Sequence, residues 1–305
     1  MILANVRGRL RAQDFLLVAI ALARGDAARR TRYERLLLEQ GPDELLDEPD
    51  LLAALLALRT LMVPSPALFA YVAVRHTLRA AGVDDRELAD YLAALLLEFG
   101  DHDRHVRIRR TDDETYHYLV DMVEDLTGLD DAGERAFLLR AHLGNYSLWL
   151  AGLFPDYIAA RRSRKGGPDL PYYDELGRQG FRLAAEHRLA EHLGVATIYR
   201  AAAERFPTLR VAFNRLSDRV FFPNVSTPEK ILRNLWSVGA QHAAPLHRLP
   251  YSSRNRVGTV VAASTSCSAD FTKRTTIGSD PLSKSLRCMI PAMGPSSFRI
   301  TRFQC

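Results

Sequence analysis

The sequence predicts an all-α protein: an irregular multi-helix bundle or a short α-solenoid of about ten helices. Two observations lead to this prediction. Apolar residues recur at helical spacing, and helix-capping residues stand at the ends of the apolar segments. Alternating strand and helix patterns are absent from residues 1–225, so a parallel sheet is not expected. No repeat of fixed period occurs, but irregular helix pairs keep the solenoid open as an alternative.

Composition divides the chain at residue 225. Residues 1–225 contain 30 Lys and Arg against 33 Asp and Glu, whereas residues 226–305 contain 11 against 3. The second segment is also rich in serine and threonine and carries all three cysteines. We therefore predict a helical domain over 1–225 and a basic tail over 226–305 that is disordered or atypical. The cysteine-free first segment argues against a disulfide framework and against cysteine-based zinc sites there.

Capping residues mark where the predicted helices begin and end. Ser65 and Pro66 open a segment that Gly82 closes, which combines an N-cap serine, a first-turn proline and a C-terminal glycine. Three more segments begin with the capping-box spacing, a short polar residue three positions before a glutamate. These pairs are Asp84–Glu87, Thr111–Glu114 and Asp131–Glu134. We predict helices near 8–24, 26–40, 50–63, 65–81, 84–99, 112–127, 131–153, 156–164, 172–193, 196–205 and 208–221.

The amino-terminal residues bear on membrane insertion and export. No apolar run approaches the roughly 18 residues that span a bilayer, so we expect no transmembrane segment and a cytoplasmic location. Export is the alternative: three arginines precede the apolar run Phe15–Ala23, and residues 1–23 would then act as a signal peptide. Asp14 borders that run, and the sequence after Arg24 continues as ordinary helix. An amphipathic first helix is therefore the favoured interpretation.

Residues 95–117 concentrate histidines, carboxylates and arginines between two predicted helices. If the helix continued past Gly100, Glu98, His102 and His105 would share one face and form a metal site. His117 adds a Glu-x-x-His unit, as found in di-iron helical bundles. That unit faces away from the apolar stripe of its own helix, however. We therefore predict a solvated polar connection with exposed histidines, no metal and no cofactor.

The segment "RAHLGNYSLWL" places polar residues in the middle of a long apolar helix. His142, Asn145 and Tyr146 must find partners if they are buried, so they either connect helices or line a pocket. His142 is the best candidate for an inward-facing histidine with a perturbed pKa. Together with His102, it is the candidate for a catalytic role.

The segment "RRSRKGGPDLPYY" combines cations, two glycines and two tyrosines. Cations, flexible backbone amides and aromatic faces together can hold a phosphate or a single-stranded base. The spacing fits neither a P-loop nor a dinucleotide-binding fingerprint. The predicted anion-binding residues are Arg161, Arg162, Arg164 and Lys165.

These patterns favour a helical interaction or regulatory module without catalytic activity. Its partner would be a protein, bound through the Arg161–Lys165 stretch or an exposed helix groove. One alternative is a helical metal-dependent enzyme that uses Glu98, His102, His105 and His117. Another is a protein that binds nucleic acid or phosphate through the basic stretch or the tail.

Overall fold

The computed structural model describes residues 1–58, 63–101, 103–228, 230–231 and 233–234. Across these ranges the chain contains 13 α-helices and no strand, which confirms the all-α prediction. Within the same ranges, no helix combines the length and apolar character needed to cross a bilayer. Most of the predicted tail, from residue 235 onward, lies outside the described residues.

The helices are short and follow one another closely. In chain order they are α1 (Ala12–Ala23), α2 (Ala27–Gln40), α3 (Pro42–Leu46), α4 (Leu51–Leu56), α5 (Pro66–Ala80), α6 (Arg86–Gly100), α7 (Leu119–Gly128), α8 (Glu134–Leu153), α9 (Pro155–Lys165), α10 (Leu170–Glu186), α11 (Arg188–His192), α12 (Ala196–Glu204) and α13 (Phe206–Leu216). Single 3-10 turns occupy Arg7–Arg9 and Arg104–Val106, and a π-helical turn over Ser217–Phe221 extends α13.

A side-chain cap begins α5 at the predicted residue and α6 next to the predicted residue. The Ser65 hydroxyl accepts a hydrogen bond from the Leu68 backbone N–H at 3.1 Å, with Pro66 in the first turn of α5. At α6 the cap is Asp85, one residue later than predicted; its carboxylate accepts from the Leu88 N–H at 2.9 Å. Each cap satisfies a backbone donor that the first helical turn leaves unpaired.

Two predicted capping boxes are wrong, because a carboxylate of each box forms an ion pair with an arginine instead. Residues 112–118 are not helical, and α7 begins only at Leu119; Glu114 pairs with Arg135 of α8 instead. Asp131 pairs with Arg140, so α8 begins at Glu134 without a side-chain cap. In both places the carboxylate is paired by a long arginine rather than by the adjacent backbone.

The predicted helix over 172–193 is two helices. His187 adopts an extended conformation between α10 and α11, and its Nδ1 accepts a hydrogen bond from the Leu189 N–H at 3.2 Å. Its ring stacks on Phe137 with centroids 5.2 Å apart. This buried ring packs at the point where the helix breaks. The helical periodicity of the sequence does not predict the break.

Helix α8 forms the centre of the fold. Seventeen of its 20 residues are buried, including His142, Asn145 and Ser147. Helices α6, α7, α9, α10 and α13 all pack against it. A helix that its neighbours enclose has no solvent-facing side. This explains why the apolar residues of α8 are distributed around its axis and do not form a single stripe.

Glycines allow the helices around α8 to approach closely. A Cβ atom on Gly144 would lie 2.7 Å from the Phe181 ring, and one on Gly177 would lie 2.2 Å from the Phe206 ring. Both phenylalanines are fully buried, so their rings have no solvent to move into. The glycines therefore act as sockets for aromatic rings at the interface of α8, α10 and α13.

A buried arginine connects the first helices to α5 and α6. Arg75 is 1% exposed, and it donates two hydrogen bonds to the Asp47 carboxylate, at 2.7 and 2.8 Å. Arg86 of α6 donates to the same carboxylate at 2.8 Å. Burial alone would raise the pKa of Asp47, but the hydrogen bonds from Arg75 and Arg86 outweigh it and lower the pKa to about 2. Asp47 is therefore held ionised between two guanidinium groups.

The described residues beyond 225 contact the helical domain. Thr227 hydrogen-bonds to Asp156, and Arg233 bonds to Asp218 at 2.9 Å. The Lys230 ammonium is buried and donates to the Phe222 carbonyl at 2.6 Å. Contacts of the domain thus extend past the predicted boundary at 225, to at least residue 233.

Replacing Gly177 with alanine should destabilise the protein strongly. The new methyl group would overlap the buried Phe206 ring, and overpacking of this kind costs about 2 kcal/mol or more. Gly128→Ala is the matched control, because nothing lies within 4 Å of its added Cβ atom. Urea unfolding followed by circular dichroism measures the free energy of unfolding of both variants. Equal stabilities of the two variants would contradict the close packing described.

Asp47→Asn should lower the free energy of unfolding by about 3 kcal/mol, because it leaves the buried Arg75 charge with the exposed Asp84 carboxylate in place of its buried partner. The folded pKa of Asp47 lies below the value of about 3.9 for an unfolded chain. Its contribution is therefore complete above about pH 4 and is lost as the pH falls towards 2. Asp50→Asn, at an exposed pair with Arg24, is the control. Unfolding curves between pH 7 and 2.5 would contradict this if both variants kept the wild-type acid dependence.

Candidate functional site

One candidate site is a groove bounded by α7, α8, α9 and the start of α10, which brings a predicted cation together with aromatic side chains. Its volume is about 440 Å³, within the usual range for ligand-binding clefts. The groove is open to solvent on one side and combines aromatic, aliphatic and cationic side chains. Its lining residues are His117, Tyr118, Leu119, Val120, Tyr146, Leu150, Arg161, Pro168, Tyr172 and Tyr173.

The turn between α9 and α10 creates one wall of the groove. Gly166 ends α9 with a left-handed backbone (φ +65°), a conformation that glycine adopts without strain. The Asp169 carboxylate then accepts from the Tyr172 N–H at 3.3 Å and caps α10. This reversal brings Tyr172 and Tyr173 alongside Arg161 of α9. The glycines of the basic segment therefore shape the wall, while the side chains around them line it.

Arg161 lies across the groove on an aromatic face. Its guanidinium carbon is 4.7 Å from the centroid of the Tyr118 ring, a cation–π geometry. Tyr172 and Tyr173 meet edge to face, with centroids 5.9 Å apart. Burial raises the pKa of Tyr173, and the Arg161 charge opposes that rise. The result is a wall of phenol rings with a guanidinium over one of them.

The other three predicted anion-binding residues do not line the groove. Arg162 pairs with Asp169 at 3.2 Å, and the Arg164 Nε donates to the Ala160 carbonyl at 3.3 Å. Lys165 is exposed at the end of α9. Of the predicted set, Arg161 alone combines with aromatic residues in a shaped site.

The residues of the metal alternative are dispersed. Glu98 faces Arg104 at 3.4 Å and Arg110 at 3.2 Å, and His117 is exposed and lines the groove. His102 lies outside the described residues. Among those that are described, no three His, Cys, Asp or Glu side chains gather in a way that would hold a metal ion.

His105 contradicts the expectation of an exposed histidine. It is 2% exposed, and its ring stacks on Trp149 of α8 with centroids 4.8 Å apart. Asp103 precedes it in a left-handed conformation (φ +52°), which turns the chain back towards α8 after α6. The connection is therefore polar on its outer side, where Asp101 pairs with Arg110 at 2.5 Å, and aromatic on its inner side.

His142 is buried, as the sequence predicts, and belongs to a polar cluster inside the fold. Asn145, one turn further along α8, accepts a hydrogen bond from the Tyr91 hydroxyl at 2.7 Å. Tyr199 of α12 meets Tyr91 edge to face at 5.6 Å. Burial, followed by the Arg104 charge, lowers the pKa of His142 to about 3, so the ring is neutral near pH 7. The cluster connects α6, α8 and α12.

Sequence reasoning missed several residues of both sites. Tyr118 carries no sequence signal because its importance comes from Arg161, 43 positions later. Arg104 is buried beside the His142 cluster although its neighbours in sequence are mostly charged. The one sequence signal for Arg104 is the high density of arginine in residues 104–110. Such a density indicates that some of these guanidinium groups make contacts inside the protein.

A search of protein-family models, curated proteins and solved structures finds no match to this chain.

His105→Ala should lower the free energy of unfolding by about 2 kcal/mol, since it removes a buried ring from the face of Trp149. His117→Ala is the matched control: its side chain is exposed, so the change should stay within about 0.5 kcal/mol. Denaturant unfolding monitored by tryptophan fluorescence measures both. A His105 variant as stable as the His117 variant would restore the expectation of an exposed histidine.

Proposed function

We propose that this protein is a non-catalytic interaction module that binds an acidic peptide segment of a partner protein in the groove between α7 and α10. The observation that carries the proposal is the pairing of Arg161 with Tyr118 beside Tyr172 and Tyr173. A cation held on an aromatic wall can pair with a carboxylate while the rings cover the neighbouring apolar atoms.

Exposed apolar surface supports a binding role for this groove. Tyr118, Val120 and Tyr172 are 49%, 55% and 38% exposed, and all three line it. Contiguous exposed apolar groups of this kind often mark interaction sites, whereas single exposed residues do not. Tyrosine is also enriched where proteins meet, because it offers a large rigid surface and a polar tip.

The charge of the groove favours an acidic ligand. Arg161 has no carboxylate partner among the described residues, and the lining contains no Asp or Glu. An incoming carboxylate would therefore meet a guanidinium and no opposing acid. Such complementarity increases both the association rate and the specificity of binding.

A peptide fits these features better than a nucleic acid does. Nucleic-acid surfaces present several cations along the phosphate backbone, but only Arg161 and the exposed His117 lie in this groove. The next arginine, Arg162, is engaged by Asp169. Residues 1–225 also carry slightly more acidic than basic side chains.

Selection from a displayed library of random 12-residue peptides tests the proposal with the full-length protein. We expect the selected peptides to share an Asp or Glu next to an aromatic residue or proline. A synthetic peptide of that consensus should bind at least about tenfold more weakly to Arg161→Ser and to Tyr172→Ala, as loss of an interface anchor implies.

Arg164→Ser is the matched control, because it removes the same charge from the same helix outside the groove. It should bind the consensus peptide like the wild type, and circular dichroism checks that all variants fold. Equal losses in the Arg161 and Arg164 variants would rule out the groove. Retention of the protein on single-stranded DNA through Arg161, with no peptide selected, would favour the nucleic-acid alternative instead.

A further inference from the structure

A second, much smaller cavity borders α8 beneath the first residues of the chain. Its volume is about 10 Å³, at the lower limit for one water molecule. Most of its wall is apolar, but α8 contributes two polar side chains, and α12 and the 3-10 turn after α6 contribute one each. The lining residues are Met1, Ile2, Arg104, Ile108, Leu138, Ala141, His142, Asn145 and Tyr199.

His142 presents an unpaired nitrogen to this cavity. The residue is 4% exposed, and its Nε2 atom has no hydrogen-bond partner in the structure. The other ring nitrogen donates to the backbone of His105, a contact that raises the pKa against the larger opposing effect of burial. The proton of the neutral ring is therefore on that nitrogen, so Nε2 offers a lone pair.

Tyr199 brings a second polar atom to the same cavity. The residue is fully buried, and burial raises the pKa of its hydroxyl to about 12, so the hydroxyl keeps its proton. The Tyr91 hydroxyl is close enough to affect that pKa, yet the Tyr199 oxygen has no partner in good hydrogen-bond geometry. A donor and an acceptor thus line the same small space.

Leaving both groups unpaired would be costly. A buried polar atom without a partner costs roughly 1–3 kcal/mol, and such atoms are rare in folded proteins. Water fills polar cavities where it can make two or more hydrogen bonds, whereas apolar cavities of similar size stay empty. This cavity has two candidate partners and room for a single small molecule.

We propose that the cavity binds one small neutral hydrogen-bonding molecule, water in the resting protein, which donates to His142 Nε2 and accepts from the Tyr199 hydroxyl. The nearby Arg104 cation opposes a positively charged guest. The volume excludes a molecule of more than one or two heavy atoms. The bound water adds a polar connection between α8 and α12 to the ring contact of Phe137 with Tyr199.

A double-mutant cycle with Tyr199→Phe and His142→Leu tests the shared water. Tyr199→Phe should lower the folding equilibrium constant about threefold to tenfold in the wild-type background. In the His142→Leu background the same change should have little effect, because the bridge is already broken. Ser147→Ala is the control: its buried hydroxyl is also unpaired but does not line the cavity, so its removal should not destabilise.

Independent effects of the two substitutions, or a Tyr199→Phe variant at least as stable as wild type, would overturn the proposal. If the His142 variant does not fold, nuclear magnetic resonance of ring-labelled wild-type protein decides. Magnetisation transfer from a long-lived water to the His142 ring is expected, and its absence would also overturn it. Stabilisation of the wild type by chloride at constant ionic strength, absent in Tyr199→Phe, would assign the cavity to an anion instead.

Discussion

The near-complete burial of α8 is the constraint on which the rest of this fold depends. A helix without a solvent face needs neighbours all round it, and the two closest interfaces are possible only because glycines receive aromatic rings. Phe181 fits against Gly144, Phe213 fits against Gly152, and no methyl group would be accommodated at either glycine. Such sockets fix the rotation of each helix as well as its distance, because a ring can enter only where the side chain is missing. The arrangement around α8 is therefore specified by a few positions rather than by overall hydrophobicity.

The same burial creates both sites. Polar residues in the middle of an enclosed helix cannot reach bulk solvent, so His142 and Asn145 are satisfied from inside the fold or by a guest molecule. One turn further along α8 from His142, Tyr146 donates to the His117 carbonyl at 3.2 Å and forms the floor of the groove. One helix thus supplies part of the wall of a small cavity and the floor of an aromatic groove. The groove is held on packed helices, which limits the conformational cost of binding a ligand there.

The sequence predicts what depends on neighbours along the chain. The face of Leu88, Leu92, Leu95 and Phe99 is fully buried, and Ser65 caps α5, because both are decided within a few residues. Prediction fails where a distant side chain intervenes. Glu114 pairs with Arg135 and does not form its predicted capping box, and His105 packs on Trp149 and is not exposed to solvent. The groove shows both cases. Arg161 was identified by its basic segment, whereas Tyr118 joins it only through the packing of α7 and α9 against α8. The sequence predicts interactions between neighbouring residues, but it does not predict which distant helices pack together.

The near-absence of lysine has a practical consequence for chemical labelling. The chain uses arginine almost exclusively: only four lysines occur in 305 residues. Of the two in the described part of the chain, Lys230 is buried with its amine on the Phe222 carbonyl, while Lys165 is exposed. Lys165 lies one helical turn beyond Arg161, about 6 Å along the axis of α9. Among the lysines of the described residues, an amine-reactive fluorophore would therefore modify Lys165, and its emission would respond to a ligand bound in the groove without an engineered attachment point.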